Sequence, residues 1–180
     1  MSVDLQPTLR GALVELRPLR ETDWDALYDV GSDPLLWEQH PERTRYEADV
    51  FREFFQRAIE SNSALAVVDL STGRIIGSSR YHGYDPVARE IEIGWSFLAR
   101  SHWGGHYNGE MKQLMLDHAF TFVDRVIFSV GAKNIRSRRA VERIGGELLI
   151  AHPAHSPGTL IFAIRKSAMP KREAEADIKD

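Results

Sequence analysis

The segment from Glu90 to Phe120 restricts the fold of this chain more than any other part of the sequence. Its first nine residues alternate between two sets, which is the period of a strand with two different faces. One set is Ile91, Ile93, Trp95 and Phe97, and the other is Glu92, Gly94, Ser96 and Leu98. A glycine turn at 103–105 breaks this pattern, and Asn108 is a suitable N-cap for a helix. Beyond it, helical spacing relates Met111, Leu114, Met115, His118, Ala119 and Phe122.

A strand that leads through a glycine turn into a helix directs free backbone N–H groups at one point, which is one way proteins hold phosphate. The two best-known phosphate motifs are missing. The sequence has no G-x-x-x-x-G-K-[ST], and no G-x-G-x-x-G followed about 20 residues later by an acidic residue. A glycine turn by itself is more often a simple connection, so other segments must decide between the two interpretations.

A second strand and helix follow at 124–131 and 134–146. The helix places Ile135, Ala140, Val141 and Ile144 on one side and ends at a glycine pair. Together the two segments resemble the GNAT acetyltransferases, in particular the branch that includes the ribosomal-protein N-terminal acetyltransferases. The motifs that carry this resemblance are L-R-G-x-x-V-x-L-R-P-L at 9–19, T-G-x-x-I-G at 72–77, E-I-G-W at 92–95, W-G-G at 103–105 and N-x-R-S-x-x-A-V-E-x-I-G at 134–145. The order and spacing of these motifs agree with those of the family over about 150 residues.

The resemblance implies an α+β fold with α/β/α layers. A mixed, mostly antiparallel sheet of six to seven strands would have helices on both faces, with a first strand over Leu9–Leu16. We expect residues 1–170 to form a single GNAT-like acyltransferase domain, because the sequence shows no repeat and no linker. Residues 171–180 form a polar C-terminal tail, expected to be loosely held or helical on the surface.

Composition narrows the classes of function. The chain has 180 residues, 43% hydrophobic and 27% charged, with a net charge of −3, which gives no electrostatic case for binding nucleic acid. It contains no cysteine, which excludes disulfides, a cysteine nucleophile and thiolate metal sites. No run approaches the roughly 18–20 apolar residues of a membrane span, and the start is not a signal peptide. We therefore expect a cytoplasmic protein without a membrane partner, as a monomer or a homodimer.

The resemblance implies acetyl-CoA as co-substrate. In this fold the strand that corresponds to Glu90–Leu98 separates from the next one, and the free backbone around Phe97, Leu98 and Ala99 binds pantetheine like an added strand. The pyrophosphate would lie at the turn formed by Trp103, Gly104, Gly105, His106, Tyr107 and Asn108. The family pattern Q/R-x-x-G-x-G/A falls on Trp103, His106 and Asn108, and none of the three matches. Either His106 donates a ring N–H to phosphate, or the turn holds CoA poorly.

The second cofactor segment of the family matches Asn134 and Ser137, which would contact the pantetheine amide and the sulfur. The simpler interpretation is that Asn134 caps the helix and Ser137 is a polar residue of its first turn. Many family members use a tyrosine here to protonate the departing thiolate. This helix has none, so Ser137 is the nearest replacement. Arg138 and its basic neighbours Arg136, Arg139 and Arg143 would lie near the 3′-phosphate, or form a solvated face.

Glu92 is the first candidate for the general base, because it occupies the position of the catalytic glutamate in the histone-acetylating members of the family. A base must accept a proton from an ammonium directly or through one water. The alternative is a structural role, with Glu92 paired across the sheet to Arg80 or Arg89. His40, His82 and His102 are other candidates. His102 and His106 are spaced four apart, but no acidic third ligand is nearby, so we expect no metal site.

The acceptor pocket is the least defined part of the sequence. The fold places it between the early helical segment and the middle of the sheet, where one side would hold Trp37, Glu38 and His40 and the other Arg80, His82 and Trp95. Both tryptophans could equally be core residues. We expect an acyl-CoA-dependent N-acyltransferase that transfers acetyl directly to a primary amine, either a peptide N-terminus or a small molecule. The alternative is a non-catalytic acyl-CoA-binding or regulatory module.

Overall fold

A computed structural model describes residues 3–168, so the predicted tail at 171–180 lies outside the described residues. Eight strands form one sheet: β1 Leu9–Arg10, β2 Val14–Pro18, β3 Ala64–Asp69, β4 Ile75–Asp85, β5 Glu90–Leu98, β6 Arg125–Gly131, β7 Glu147–Leu149 and β8 Thr159–Arg165. Their order is β1-β2-β3-β4-β5-β6-β8-β7. Every neighbouring pair is antiparallel except β5 and β6, which are parallel.

Four helices cover the two faces of the sheet: α1 Trp24–Gly31, α2 Ala48–Glu60, α3 Tyr107–Ala119 and α4 Ile135–Arg143. Successive side chains of a strand point to opposite faces, and β3 shows the result. Ala64 and Ala66 pack in the apolar cluster of α1 and α2, whereas Leu65 and Val67 pack in that of α3 and α4. The predicted α+β fold with helices on both faces of a mostly antiparallel sheet is confirmed, although the sheet has eight strands where six to seven were predicted. Within residues 3–168 no helix is long and apolar enough to cross a membrane.

The structure corrects the prediction of one strand over Leu9–Leu16, because this stretch forms two strands joined by a turn. The carboxylate of Glu110 in α3 accepts hydrogen bonds from the backbone N–H groups of Ala12, Leu13 and Val14, at 2.9, 2.7 and 2.8 Å. Burial alone would raise the pKa of Glu110, but these three hydrogen bonds outweigh it, so the pKa is lowered. A residue 96 positions away therefore bends the strand, which local patterning cannot reveal.

Helix α3 begins at Tyr107, with His106 as its N-cap residue, so the prediction of Asn108 as the N-cap is wrong. No side chain caps this end. The first turn is held by the ring of Tyr107, whose centroid lies 4.7 Å from that of His102 at right angles. Asn108 is consequently a residue of the first helical turn, where its side chain can face the sheet.

Strands β5 and β6 separate after three residues. Their parallel pairing covers only Glu90–Glu92 with Arg125–Ile127, after which β5 continues along β4 and β6 continues along β8. A bulge increases the divergence, since Trp95 and Ser96 of β5 lie opposite the single residue Ser79 of β4. Trp95 has a φ of 51°, a left-handed conformation that bulky residues rarely adopt. The result is a wedge-shaped opening in the middle of the sheet.

Candidate active site

Two cavities, of about 320 and 260 Å³, occupy the opening between β5 and β6. The larger one reaches the face of α1 and α2, and the smaller one follows β5 towards the start of α3. They share eight lining residues: Trp37, His40, Ser96, Asn108, Asn134, Ser137, Ala140 and Ile144. The opening is therefore continuous from one side of the sheet to the other.

The smaller cavity collects most of the residues predicted to bind the cofactor. These are Phe97, Leu98, Trp103, Gly104, Gly105, Asn108, Asn134 and Ser137. Four others do not line either cavity. The N–H of Ala99 donates to the carbonyl of Ile76, the ring of Tyr107 packs on His102, the guanidinium of Arg138 donates to the carbonyl of Ala132, and His106 is exposed. The role of His106 at the phosphate turn stays a prediction.

The backbone of β5 is free towards the gap at alternate residues. Ala99 donates to Ile76 of β4, so by strand alternation the N–H and C=O of Ser96 and Leu98 point away from β4. The carbonyl of Leu98 is already occupied, because the indole Nε1 of Trp103 donates to it at 2.8 Å. The guanidinium of Arg136 lies 4.0 Å above the Trp103 ring. Trp103 thus links the end of β5 to the start of α4 across the mouth of the groove.

Asn134 caps helix α4, which is the simpler of the two roles that the sequence analysis considered for it. Its Oδ1 accepts a hydrogen bond from the N–H of Ser137 at 3.1 Å. The cap does not remove either residue from the opening, since both line the two cavities and Asn134 is only 5% exposed. Its Nδ2 has no partner among residues 3–168. Capping and ligand contact are therefore compatible roles.

Basic side chains line the smaller cavity, but Arg138, the arginine that the sequence analysis favoured, is not among them. Arg136, Arg143 and His102 contribute to its wall, whereas Arg138 does not. Arg136 donates to the carbonyl of Leu36 at 2.7 Å, and burial lowers the pKa of its guanidinium. His102 lies 3.7 Å from the carboxylate of Asp69. No group of three His, Cys, Asp or Glu side chains that could hold a metal occurs in the part of the chain that the structure describes.

Glu92 lies at the apex of the opening, at the last position where β5 and β6 pair. It lines the larger cavity, and its Oε1 accepts a hydrogen bond from the N–H of Ser129 at 3.3 Å. The alternative of a cross-strand ion pair is wrong. Arg89 binds Asp124, and no carboxylate among residues 3–168 lies within ion-pair distance of Arg80; burial lowers the pKa of Arg80, and the charge of Glu92 opposes that shift from a longer distance. The carboxylate of Glu92 is thus available to a ligand in the cavity.

The residues predicted to bind the acceptor divide into three groups. Trp37, His40 and Trp95 line the larger cavity. Arg80 is buried behind them, with its guanidinium 3.8 Å from the centre of the Trp95 ring. Glu38 and His82 are exposed and line neither cavity, although the His82 ring contacts Trp95. Of the six residues predicted to bind the acceptor, three therefore line the larger cavity, and their role stays a prediction.

Lys112 is a functional candidate that the sequence reasoning missed. It lines the larger cavity, and its Nζ donates to the hydroxyl of Ser96, which lies 2.7 Å from that of Ser79. Burial lowers the pKa of Lys112 to about 7, and the charge of Glu92 opposes that shift. Its position was detectable, because Lys112 falls on the buried stripe of α3 with Met111, Met115 and Leu116.

Arg45 was also missed. It lines the larger cavity, with its guanidinium 5.2 Å from the centre of the Trp37 ring and 4.7 Å from that of Phe54. Burial lowers the pKa of Arg45 to about 10. It precedes α2 in a segment without regular structure, so no periodicity in the sequence indicated that it faces the site.

Comparisons with known proteins agree with this geometry. The family model described as "Acetyltransferase (GNAT) domain" matches residues 14–147. A GCN5-related N-acetyltransferase from Brucella melitensis is 22% identical, with a TM-score of 0.78 over 90% of this chain and 80% of that one. RimJ of Mycobacterium smegmatis, solved with CoA-disulfide, is 22% identical, with a TM-score of 0.62 over 92% and 88%.

A third structure is the spermidine N-acetyltransferase of Vibrio cholerae, in complex with CoA and spermine. It is 19% identical, with a TM-score of 0.62 over 87% of this chain and 98% of that one. At these identities the structures establish the shared fold alone. No curated protein matches the sequence. The match of the family model over most of the chain, together with the open β5–β6 wedge, shows that this protein belongs to the GNAT acetyltransferase family.

Proposed function

We propose that this protein is an N-acetyltransferase that moves an acetyl group from acetyl-CoA directly to a primary amine. The observation that carries the proposal is the continuous opening between β5 and β6, with Glu92 at its apex. Free backbone on one side and a carboxylate on the other are the two elements that thioester binding and amine deprotonation need. The family supports the reaction class. The acceptor, a peptide N-terminus or a small-molecule amine, is part of the proposal.

The smaller cavity is the proposed site of CoA. The N–H of Leu98 and the backbone of Ser96 would bind pantetheine as an added strand edge, and the Nδ2 of Asn134 would contact one of its amides. Arg136 and Arg143 are the positively charged residues along this cavity, so they are the proposed partners of the phosphates. Trp103 must release or share the Leu98 carbonyl if pantetheine uses that atom.

The larger cavity is the proposed site of the amine. Glu92 accepts a proton from the ammonium, directly or through one water, and the neutral amine attacks the thioester carbonyl. A C–N bond forms, the C–S bond breaks, and the nitrogen releases its second proton as it becomes an amide nitrogen. The thiolate of CoA takes up a proton from Ser137, the proposed donor, and the proton released by the nitrogen restores the Ser137 hydroxyl. The transfer is proposed to be direct because the sequence has no cysteine, which removes the commonest covalent intermediate.

Calorimetry with acetyl-CoA and CoA, followed by thiol release over a panel of amines, tests this proposal. The panel contains amino acids, short peptides, polyamines and amino sugars. We expect binding of both cofactor forms and turnover of at least one amine class. Binding without any turnover would favour the non-catalytic acyl-CoA-binding module. No binding at millimolar ligand would contradict both functions.

A further inference from the structure

Two guanidinium groups on the acceptor side of the opening have no carboxylate partner. Arg45 lines the larger cavity and Arg80 is 8% exposed behind Trp95. Neither forms an ion pair within residues 3–168, although both lie partly or fully away from solvent. A charge that is partly removed from water is costly unless an opposite charge accompanies it. Something outside the described chain is therefore expected to supply that charge.

The aromatic contacts of Arg45 and Arg80 fix the orientation of each guanidinium plane but leave some of its N–H donors without an acceptor. Arg45 lies over the rings of Trp37 and Phe54, and Arg80 lies over Trp95. The Nε of each is buried without an acceptor in the part of the chain described. Arg80 donates to the carbonyl of Arg57 at 3.2 Å, which satisfies one N–H without compensating the charge.

The histidine beside Arg45 is held in its neutral form. The Nη1 of Arg45 lies 3.2 Å from the Nε2 of His40, which also lines the cavity. Burial, and then the charge of Arg45, lowers the pKa of His40 to about 4. The Nδ1 of the same ring lies 2.9 Å from the backbone N of Glu42, so both neighbours of the ring are donors, and a neutral imidazole brings no negative charge. His40 consequently does not compensate the positive charge of Arg45 at neutral pH.

The surrounding charges make this region positive. Glu92 is the carboxylate that lines the larger cavity, at the apex of the opening. Glu42 acts on Arg45 only from the exposed surface. Arg80 adds a second positive charge near Arg45, and the charge of Glu92 acts on Arg80. A planar guanidinium fork matches the geometry of a carboxylate better than that of any neutral group. The cavity thus offers a carboxylate that can bind an ammonium and a guanidinium that can bind an anion. A ligand that carries both an ammonium and an anionic group matches this arrangement.

We propose that the amine acceptor is an amino carboxylate, whose ammonium approaches Glu92 while its carboxylate binds Arg45. Arg80 is a positioning residue, which holds Trp95 and adds positive charge without itself lining the cavity. The inference rests on the proposed function and deepens it. It disfavours polyamines, which would place a second cation beside Arg45.

Matched substrate pairs test the inference without any mutation. A series of ω-amino carboxylates of increasing length, each paired with its carboxamide, keeps the amine and removes only the negative charge. We expect the best carboxylate to exceed its amide at least about tenfold in kcat/KM, the size of one charge-assisted hydrogen bond. Equal use of both members, with turnover present, would overturn the inference and leave the proposed function intact.

Variants of Arg45 separate recognition from structure. Arg45→Met should lower kcat/KM for the carboxylate about 10- to 100-fold, chiefly through KM, and leave the amide within about twofold. Arg45→Lys should restore part of the loss, since it keeps the charge but not the fork. Arg43→Met is the matched control, because Arg43 is exposed and lines neither cavity. An equal loss for carboxylate and amide would show a merely structural role.

Calorimetry distinguishes failure of the inference from failure of the proposed function. The ω-amino carboxylates are titrated into the complex of the protein with CoA, and acetyl-CoA is titrated into each variant. Acetyl-CoA affinity should be unchanged in Arg45→Met, whereas carboxylate binding should weaken. If no amine of any class is acetylated, the proposed function fails. Carboxylates that neither bind the CoA complex nor turn over, while other amines do turn over, would refute the inference alone.

Discussion

The two halves of β5 differ in how their backbone is used. The first half, Glu90–Glu92, is paired on both sides, to β4 and to β6, and Glu90 is bound by Arg125 and His152. The second half, from the bulge at Trp95 to Leu98, is paired only to β4. One strand therefore contains a structural half and an open half. The comparison shows that binding capacity arises where two strands follow different partners, because unpaired backbone groups are then left for a ligand.

The largest effect is expected from the acid at the boundary of the two halves. Glu92→Gln should lower kcat about 10²- to 10⁴-fold, the usual contribution of a general base, with acetyl-CoA affinity unchanged. Glu90→Gln is the matched control in the structural half. It should lower the free energy of unfolding, because Arg125 and His152 lose their anion, and leave kcat within about twofold. Steady-state kinetics measures kcat, and urea unfolding measures the free energy of unfolding, for both variants. Equal kcat losses in both variants would remove the distinction between the halves.

A close backbone contact maintains the open half against β4. A Cβ on Gly77 would lie 2.0 Å from the carbonyl oxygen of Phe97, and backbone atoms cannot yield as a flexible side chain can. Gly77→Ala should therefore cost about 3 kcal/mol or more of unfolding free energy. Gly109→Ala in α3 meets no atom within 4 Å and should stabilise by up to about 1 kcal/mol. Urea unfolding of both variants checks this, and a Gly77 variant as stable as the parent would contradict the contact.

The buried amine under the open half makes stability depend on pH. The pKa of Lys112 is about 7 in the folded protein against 10.5 in the unfolded chain, so the unfolded state binds more protons between those values. Stability should rise with pH from about 7 to 10.5, by up to about 1.4 kcal/mol per pH unit, and fall as pH decreases towards 7.

Lys112→Met should abolish that slope and raise stability at pH 7. Lys133→Met is the control, because Lys133 is exposed. Unfolding free energies at pH 7, 8 and 9 measure the effect. An unchanged slope in Lys112→Met would mean that the ammonium stays hydrated in the folded state.

The smallest effect concerns the carbonyl at the end of the open half. Trp103→Phe removes the indole N–H that donates to Leu98 and keeps an aromatic ring under Arg136. If pantetheine needs that carbonyl, acetyl-CoA affinity should rise about 2- to 10-fold, the value of one neutral hydrogen bond. Calorimetry measures it, with Trp24→Phe on the opposite face as control. A weaker affinity in Trp103→Phe would instead indicate direct contact between the indole and the cofactor.

Local patterning was sufficient for most elements. The alternation at Glu90–Leu98 predicted β5, and Asn134 predicted the start of α4 through its cap. The faces of β5 were predicted correctly only up to the bulge, beyond which Trp95 and Phe97 pack on the face opposite to Ile91 and Ile93. Local patterning failed where a distant residue acts on the backbone. Glu110 divides the predicted first strand in two, and α3 starts at Tyr107 without a side-chain cap. Boundaries of this kind depend on tertiary contacts, which no window of the sequence contains.

The sequence by itself determined the fold class, because strand period, glycine turns and motif order are local properties. Through the family resemblance it also predicted a cofactor groove and Glu92 as the general base. The tertiary structure alone decided which polar groups are free. Leu98 has an occupied carbonyl, Arg45 forms no ion pair within residues 3–168, and Lys112 is enclosed next to Ser96. Hydrogen bonding and charge compensation depend on residues that are far apart in the chain and adjacent only after folding, so they appear only once the two sheet faces are assembled.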